Sequence, residues 1–287
     1  MKNDFERDFN LGGSIERAVS GQYELKAGEI FQEAWKQTMK HFMSFSPAII
    51  ALIFVQLGIF YVALKLQLGD PSLILQAFAD PSLLDERIFQ AIFVANFSYE
   101  VVSAPFYASV SLMAMSHACG LTTKSRHIAK GLQFTVPVII ATLASLVLQG
   151  VVGMMLPFIS MYLSLAFSQS ILLICEKRIA PMQSLLLSLR AVNKKIFVLA
   201  GIYSVMMLMF IVGAMFYGIG LIFVLPFFFH VKGILYREMF GIKLQITANQ
   251  DDDSDDDSDG DQGTPPRDND HNSNNDKPNK NPEVFDA

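Results

Sequence analysis

Apolar residues in this chain fall in long runs separated by short polar segments. Ser44 to Leu64 carries no charge, and Phe89 to Ala118 is broken only by Glu100. Phe134 to Cys175 is 42 residues without a formal charge, and Ile196 to Val231 is likewise uncharged. A helix crossing about 30 Å of hydrocarbon needs roughly 20 mostly apolar residues. The first two runs suit one crossing each. The other two are long enough for a pair, with turns near Gly150, Gly153 and Pro157 and near Gly218 and Gly220, the last helix continuing to about Tyr236. The pattern predicts an all-α polytopic membrane protein: six transmembrane helices in three hairpins, with interfacial amphipathic helices.

Those interfacial helices are read from the polar segments before each hairpin. In the first, Phe31, Ala34, Trp35, Thr38, Met39 and Phe42 share one face and Glu33, Lys36, Gln37 and Lys40 the other. The second, Ser125 to Phe134, is shorter and carries Arg126, His127 and Lys130. In the third, Pro181 opens a helix with Met182, Leu185, Leu186, Leu189 and Val192 on one side, completed by Arg190, Asn193, Lys194 and Lys195. The interfacial cations Arg190, Lys194 and Lys195 suit contact with anionic lipid headgroups. Between the first two spans Asp70-Pro71-Ser72-Leu73 recurs as Asp80-Pro81-Ser82-Leu83. Asp before Pro is a helix start, so two short capped helices are expected there.

Charge divides the chain. From Asn249 onward there are 13 acidic residues and 3 basic ones, a local net of −10, whereas residues 1 to 248 carry a net of +5. The domains expected are an N-terminal cytoplasmic arm with its amphipathic helix (1–43), a six-helix transmembrane domain (44–242) and a disordered acidic cytoplasmic tail (243–287). The first forty residues are polar, unlike a cleaved signal peptide. Twenty of the 22 Lys and Arg fall on one side of the six-span topology, leaving only Lys65 and Arg87 opposite. Retained loops are enriched in these residues, which places both termini in the cytoplasm of a bacterial inner membrane.

Few residues could carry chemistry. Glu100 lies well inside the second span, where an ionisable group suggests function by default. The competing reading is a protonated Glu bonded to a neighbouring helix, which would tolerate Gln and suffer from Ala. His230, in the sixth span, reaches a similar depth and is its candidate partner, although Lys232 two residues on also fits the approach to the cytoplasmic interface. His41 and His117 receive no role. Small or hydroxylated residues at i+4, namely Ser160, Ser164 and Ser168, Ala104 and Ala108, and Ala214 and Gly218, mark close helix approaches. Prolines 105 and 226 interrupt the second and sixth spans. Asp255 to Asp261 resembles the start of a calcium loop, but position twelve is Pro266 where a bidentate Glu is needed. Cys119 and Cys175 form neither a metal motif nor a disulfide framework. With no Walker loop, nucleophile elbow, zinc motif or dinucleotide fingerprint, no enzyme activity, metal, cofactor or nucleic acid is expected.

The run Ile174-Cys175-Glu176-Lys177 through Pro181, Ser184, Leu185, Ser188, Leu189 and Arg190, followed by a further apolar span, resembles the YciC-like bacterial inner-membrane proteins. It is also similar to the membrane domain fused to some glycerophosphodiester phosphodiesterases. Leu225-Pro226 and Tyr236 fit the same pattern, and the resemblance covers residues 25 to 242. It implies six spans and a role in envelope maintenance, and the interfacial helices and small-residue faces favour a non-catalytic protein that scaffolds or organises lipid. Membrane lipids, other membrane proteins or a second copy are the expected partners. The alternative is a secondary transporter or channel that uses Glu100.

Overall fold

The computed structural model describes residues 7–121, 123, 131–215 and 218–246. Residues 247 onward of the expected tail (243–287), with the calcium-like run, and residues 125–130 of the second interfacial segment lie outside them. The chain divides into two units, Met1–Phe9 with Leu244–Ala287, and Asn10–Lys243. Strand β1 (Arg7–Leu11) pairs with β2 (Ile242–Ile246) in a two-stranded sheet. The described residues are otherwise mostly helical, 83% with almost no sheet, which makes an all-α protein.

Local chemistry sets the helix ends. Ser14 accepts from the Arg17 amide to start α1 (Ile15–Ser20), which Gly21 closes at φ 81°. The Asp-Pro repeat behaves as expected. The Asp70 carboxylate accepts from the amide and hydroxyl of Ser72 at the start of α3 (Ser72–Ala79), and Asp80 does the same with Ser82 at a 3₁₀ turn, Pro81–Leu83. These donors hold both carboxyls below the ordinary range, the Ser72 amide leading for Asp70 and the Ser82 hydroxyl for Asp80. Asp85 caps α4 (Glu86–Ala118) by accepting from the Ile88 amide at 2.8 Å.

Helix α2 (Ala27–Leu68) differs from the sequence expectation. Its 42 residues run without interruption through the first amphipathic segment and the first span, even across Pro47. No separate helix lies flat there. The reason is a buried stripe, Ile30, Ala34, Thr38, His41, Phe45, Ile49 and Leu52, that recurs every three or four residues. It packs on α4 and on α10 (Leu221–Phe240). Trp35 and Met39, expected to share the face of Ala34, are outside this stripe and half exposed.

The remaining helices surround this α2–α4–α10 centre. They are α5 (Thr135–Met155), α6 (Pro157–Ala166), α7 (Ser170–Lys177), α8 (Pro181–Lys194) and α9 (Ile196–Met215). The fourth expected span is thus two helices meeting at a break over Phe167 to Gln169. The Ser188 hydroxyl of α8 bridges that break, donating to the Ala166 carbonyl at 2.6 Å and accepting from the Gln169 amide at 3.3 Å. One side chain therefore satisfies a carbonyl and an amide that the interrupted helix leaves over.

Four stretches, Ala27–Leu68, Thr135–Met155, Pro157–Lys177 and Ile196–Met215, are long and apolar enough to cross a membrane. Helices α4 and α10, read from sequence as the second and sixth crossings, are not among these four. They sit at the centre and face other helices. Ser103, Ser109, Ser111 and His117 of α4 and His230 and Lys232 of α10 are all buried. Close approach explains the small residues: a Cβ on Gly233 would stand 3.0 Å from the backbone of Ala114. Of the small-residue faces, Ala104 and Ala108 pack with Val138, Ala141 and Ile174 as expected. At the α9–α10 turn the tight contact is between Gly213 and Gly220, where a Cβ on Gly220 would lie 2.6 Å from the Gly213 Cα.

Candidate functional site

A partly enclosed cavity of about 210 Å³ lies between α4, α5, α6, α7 and α10. That is room for roughly seven waters at about 30 Å³ each, and less than the ~300 Å³ of a drug-sized pocket. Its lining is unusually polar for the inside of an apolar bundle. Glu100 and Tyr107 project from α4, Thr142, Ser145 and Gln149 from α5, and Lys232 from α10. Ser164, Ser168 and Ser170 bring in both sides of the α6–α7 break. Two members of the Ser160, Ser164, Ser168 face therefore line a cavity, while Ser160 alone bonds across helices, donating to the Gln149 carbonyl at 3.1 Å.

Lys232, read from the sequence as approaching the cytoplasmic interface, is buried within the protein, 4% exposed. Its Nζ donates to the Tyr107 hydroxyl at 2.9 Å and stands 4.5 Å from the centre of the same ring. An ammonium has three donors, and a buried cation normally has a paired anion. Among the described residues Lys232 makes no ion pair within 4 Å. Glu100 lines the same cavity without pairing with it. Only the signal of a lysine following an unbroken apolar run was available in the sequence, and it equally fitted a helix end.

Glu100 is bonded to its own helix. Asn96, one turn earlier, donates to it at 3.4 Å, and among the described residues no side chain from another helix bonds to it. The packing role considered above has no interhelical bond to rest on. The Thr142 hydroxyl, also in the lining, has no hydrogen-bond partner among the described residues.

The structure does not bring His230 to Glu100. His230 belongs to a second buried polar group, with His41, His117, Thr38 and Thr123. His230 Nδ1 lies 2.8 Å from the Pro226 carbonyl and 3.1 Å from the Thr38 hydroxyl. A carbonyl only accepts, so Nδ1 carries the proton and Nε2 accepts. His117 Nδ1 then donates to it at 2.9 Å, and His117 Nε2 accepts from Thr123 at 2.7 Å. Both tautomers are fixed by this chain. His41 stacks on His117 with centroids 4.0 Å apart, and its Nε2 has no partner. Among the described residues no group of three His, Cys, Asp or Glu is arranged to hold a metal.

Other charged residues act as ties between elements. Arg237 clamps Glu33 of α2 with both Nη atoms, at 2.6 and 2.8 Å, and also donates to the Ala118 carbonyl ending α4. Glu176 accepts from Tyr236 at 2.7 Å and from the Lys243 amide at 3.1 Å. On α8, Ser184, Leu185, Ser188, Ala191 and Val192 are buried, while Met182, Leu186, Arg190 and Lys194 point outward and Lys195 is half-buried. No family model matches the chain, and no curated protein or solved structure is similar to it.

Proposed function

We propose that this chain is a non-catalytic, six-crossing inner-membrane protein that admits small polar solutes to the cavity between α4, α5 and α10, as a secondary transporter does. The observation that carries the reading is Lys232: a buried ammonium with one hydrogen bond, facing a cavity that also holds a carboxylate and four serines. Polar groups at such depth are costly and are retained where water or a solute meets them. The position supports it. Glu100 is 14 residues along α4 from Glu86 and Lys232 is 11 along α10 from Leu221, about 21 and 17 Å at 1.5 Å per residue. Those depths are near the middle of a 30 Å layer. The α6–α7 break beside the cavity is the kind of discontinuous helix that lines transporter sites.

In this reading α4 and α10 cross the bilayer sheltered by their neighbours, both termini are cytoplasmic, and α8 meets anionic headgroups through Arg190 and Lys194. Scaffolding, the first expectation from the sequence, needs no polar interior. The test is access. In membrane vesicles, a variant with Ser145→Cys and both native cysteines replaced by serine should react with a small, neutral, hydrophilic methanethiosulfonate. Leu143→Cys on the same helix should not. An unreactive thiol at position 145 means a sealed interior and returns the chain to scaffolding.

A further inference from the structure

Two opposite charges lie in one cavity of an apolar bundle without neutralising each other directly. Glu100 and Lys232 both line it, yet no ion pair within 4 Å joins them. In hydrocarbon surroundings each charge needs a partner, because field lines that water would screen run unscreened through a low-dielectric wall. Tyr107 stands beside Lys232 and gives its ammonium one acceptor and a ring face, leaving further donors unspent. Ser170, the first residue of α7, lies on the same cavity wall. On the other side Glu100 has only the Asn96 amide, at 3.4 Å, and Thr142 has an oxygen with nothing to bond.

A lone anion would satisfy Lys232 and be repelled by Glu100. A lone cation would do the reverse. We infer that the cavity takes a small zwitterion, its anionic group at Lys232 and its cationic group at Glu100. Such a ligand completes both pairs and adds no net charge to the bundle. The 210 Å³ volume limits it to roughly half a dozen heavy atoms, an amino acid or ω-amino acid in size. The hydroxyls of Ser145, Ser164 and Ser168 and the Gln149 amide can meet its flanks.

This inference rests on the solute-admitting reading above, and the same variant separates the two. The Ser145→Cys protein is labelled in the presence of glycine, β-alanine, 4-aminobutyrate or 6-aminohexanoate, and of butyrate and butylamine as singly charged relatives. At a concentration about tenfold above its dissociation constant, a zwitterion that fits should slow labelling about tenfold. Butyrate and butylamine should not. Lys232→Met and Glu100→Gln, added one at a time, should each abolish protection while leaving the introduced thiol reactive. If that thiol reacts and butyrate or butylamine protects as well as any zwitterion, or if nothing protects, the zwitterion assignment is overturned and the solute-admitting reading stands. If the thiol does not react at all, the reading beneath it falls. Should Lys232→Met fail to fold, Glu100→Gln alone decides, since protection that survives it excludes a cationic group at Glu100.

Discussion

His117 Nδ1 points at His230 Nε2 across 2.9 Å, and the Pro226 carbonyl on the far side of His230 fixes the direction of that hydrogen bond. The link ties α4 to α10, and the Thr38 hydroxyl extends it to α2. His117→Phe keeps the ring but strands His230 Nε2 and the Thr123 hydroxyl, each at a cost of about 1–3 kcal/mol. His41→Phe keeps the stack on His117 and removes an atom, Nε2, that has no partner, so it should change stability by less than about 1 kcal/mol. Melting curves in detergent for the two variants should separate clearly. Equal losses would show that stacking, not the hydrogen-bond chain, holds the three helices.

The Arg237–Glu33 clamp should be worth more than an ordinary surface pair. Its side chains are 14% and 32% exposed, and the contact is bidentate. A double-mutant cycle with Arg237→Ala and Glu33→Ala should give a coupling of about 1–2 kcal/mol, against roughly 0.2–1 for an exposed pair. Arg237→Lys should recover little of it, because a lysine cannot span both carboxylate oxygens and the Ala118 carbonyl.

Reporter fusions after Lys124, Lys177 and Gln250 should all score cytoplasmic, and one after Asp80 external. With Lys232 buried, nineteen Lys and Arg remain on the inner side of the six-span topology against two outside. An external score at Gln250 would mean an odd number of crossings and would remove α4 or α10 from the membrane.

Acid should loosen the segment between α2 and α4. The folded-state values of Asp70 and Asp80 are depressed by the Ser72 and Ser82 donors. Their contribution is therefore present above the ordinary carboxylate range and is lost as pH falls through the lowered values. Amide exchange at residues 72–83, corrected for its intrinsic pH dependence, should quicken below about pH 4, and Asp80→Asn should reduce that response. A response unchanged in Asp80→Asn would assign it elsewhere.

Much of the fold was legible because the bilayer imposes a long period on the sequence. An unbroken charge-free run such as Ile196 to Val231 needs no partner to be read, and the Asp80-Pro81 cap is decided within three residues. The site was harder for a physical reason. Whether Lys232 reaches water or is sealed in depends on Tyr107, 125 residues earlier, and no local pattern carries that. Ser164 and Ser168 were visible as a helix face, but packing faces and cavity walls use the same residue types. His117 looked like a boundary residue at the end of α4, and only the arrival of His230 and Thr123 gives it bonds. The continuity of α2 was hidden too, because the stripe from Ile30 to Phe45 is amphipathic whether it rests on lipid or on α10.

The central placement of α4 and α10 has a consequence for how the protein is made. A translocation channel releases a segment sideways into lipid according to that segment's own apolarity, before later helices exist to shelter it. Helix α10 emerges carrying His230 and Lys232, and α4 carrying Glu100 and four of the buried serines, Ser103, Ser109, Ser111 and Ser116. Neither suits release alone, whereas α2 and α9 do. Each polar helix follows an apolar one along the chain, α4 after α2 with only the short α3 and a 3₁₀ turn between, and α10 after α9, so the order supplies an escort. Moving α10 ahead of α9 in a permuted gene would leave every contact of the finished bundle available and still stall the chain at the channel.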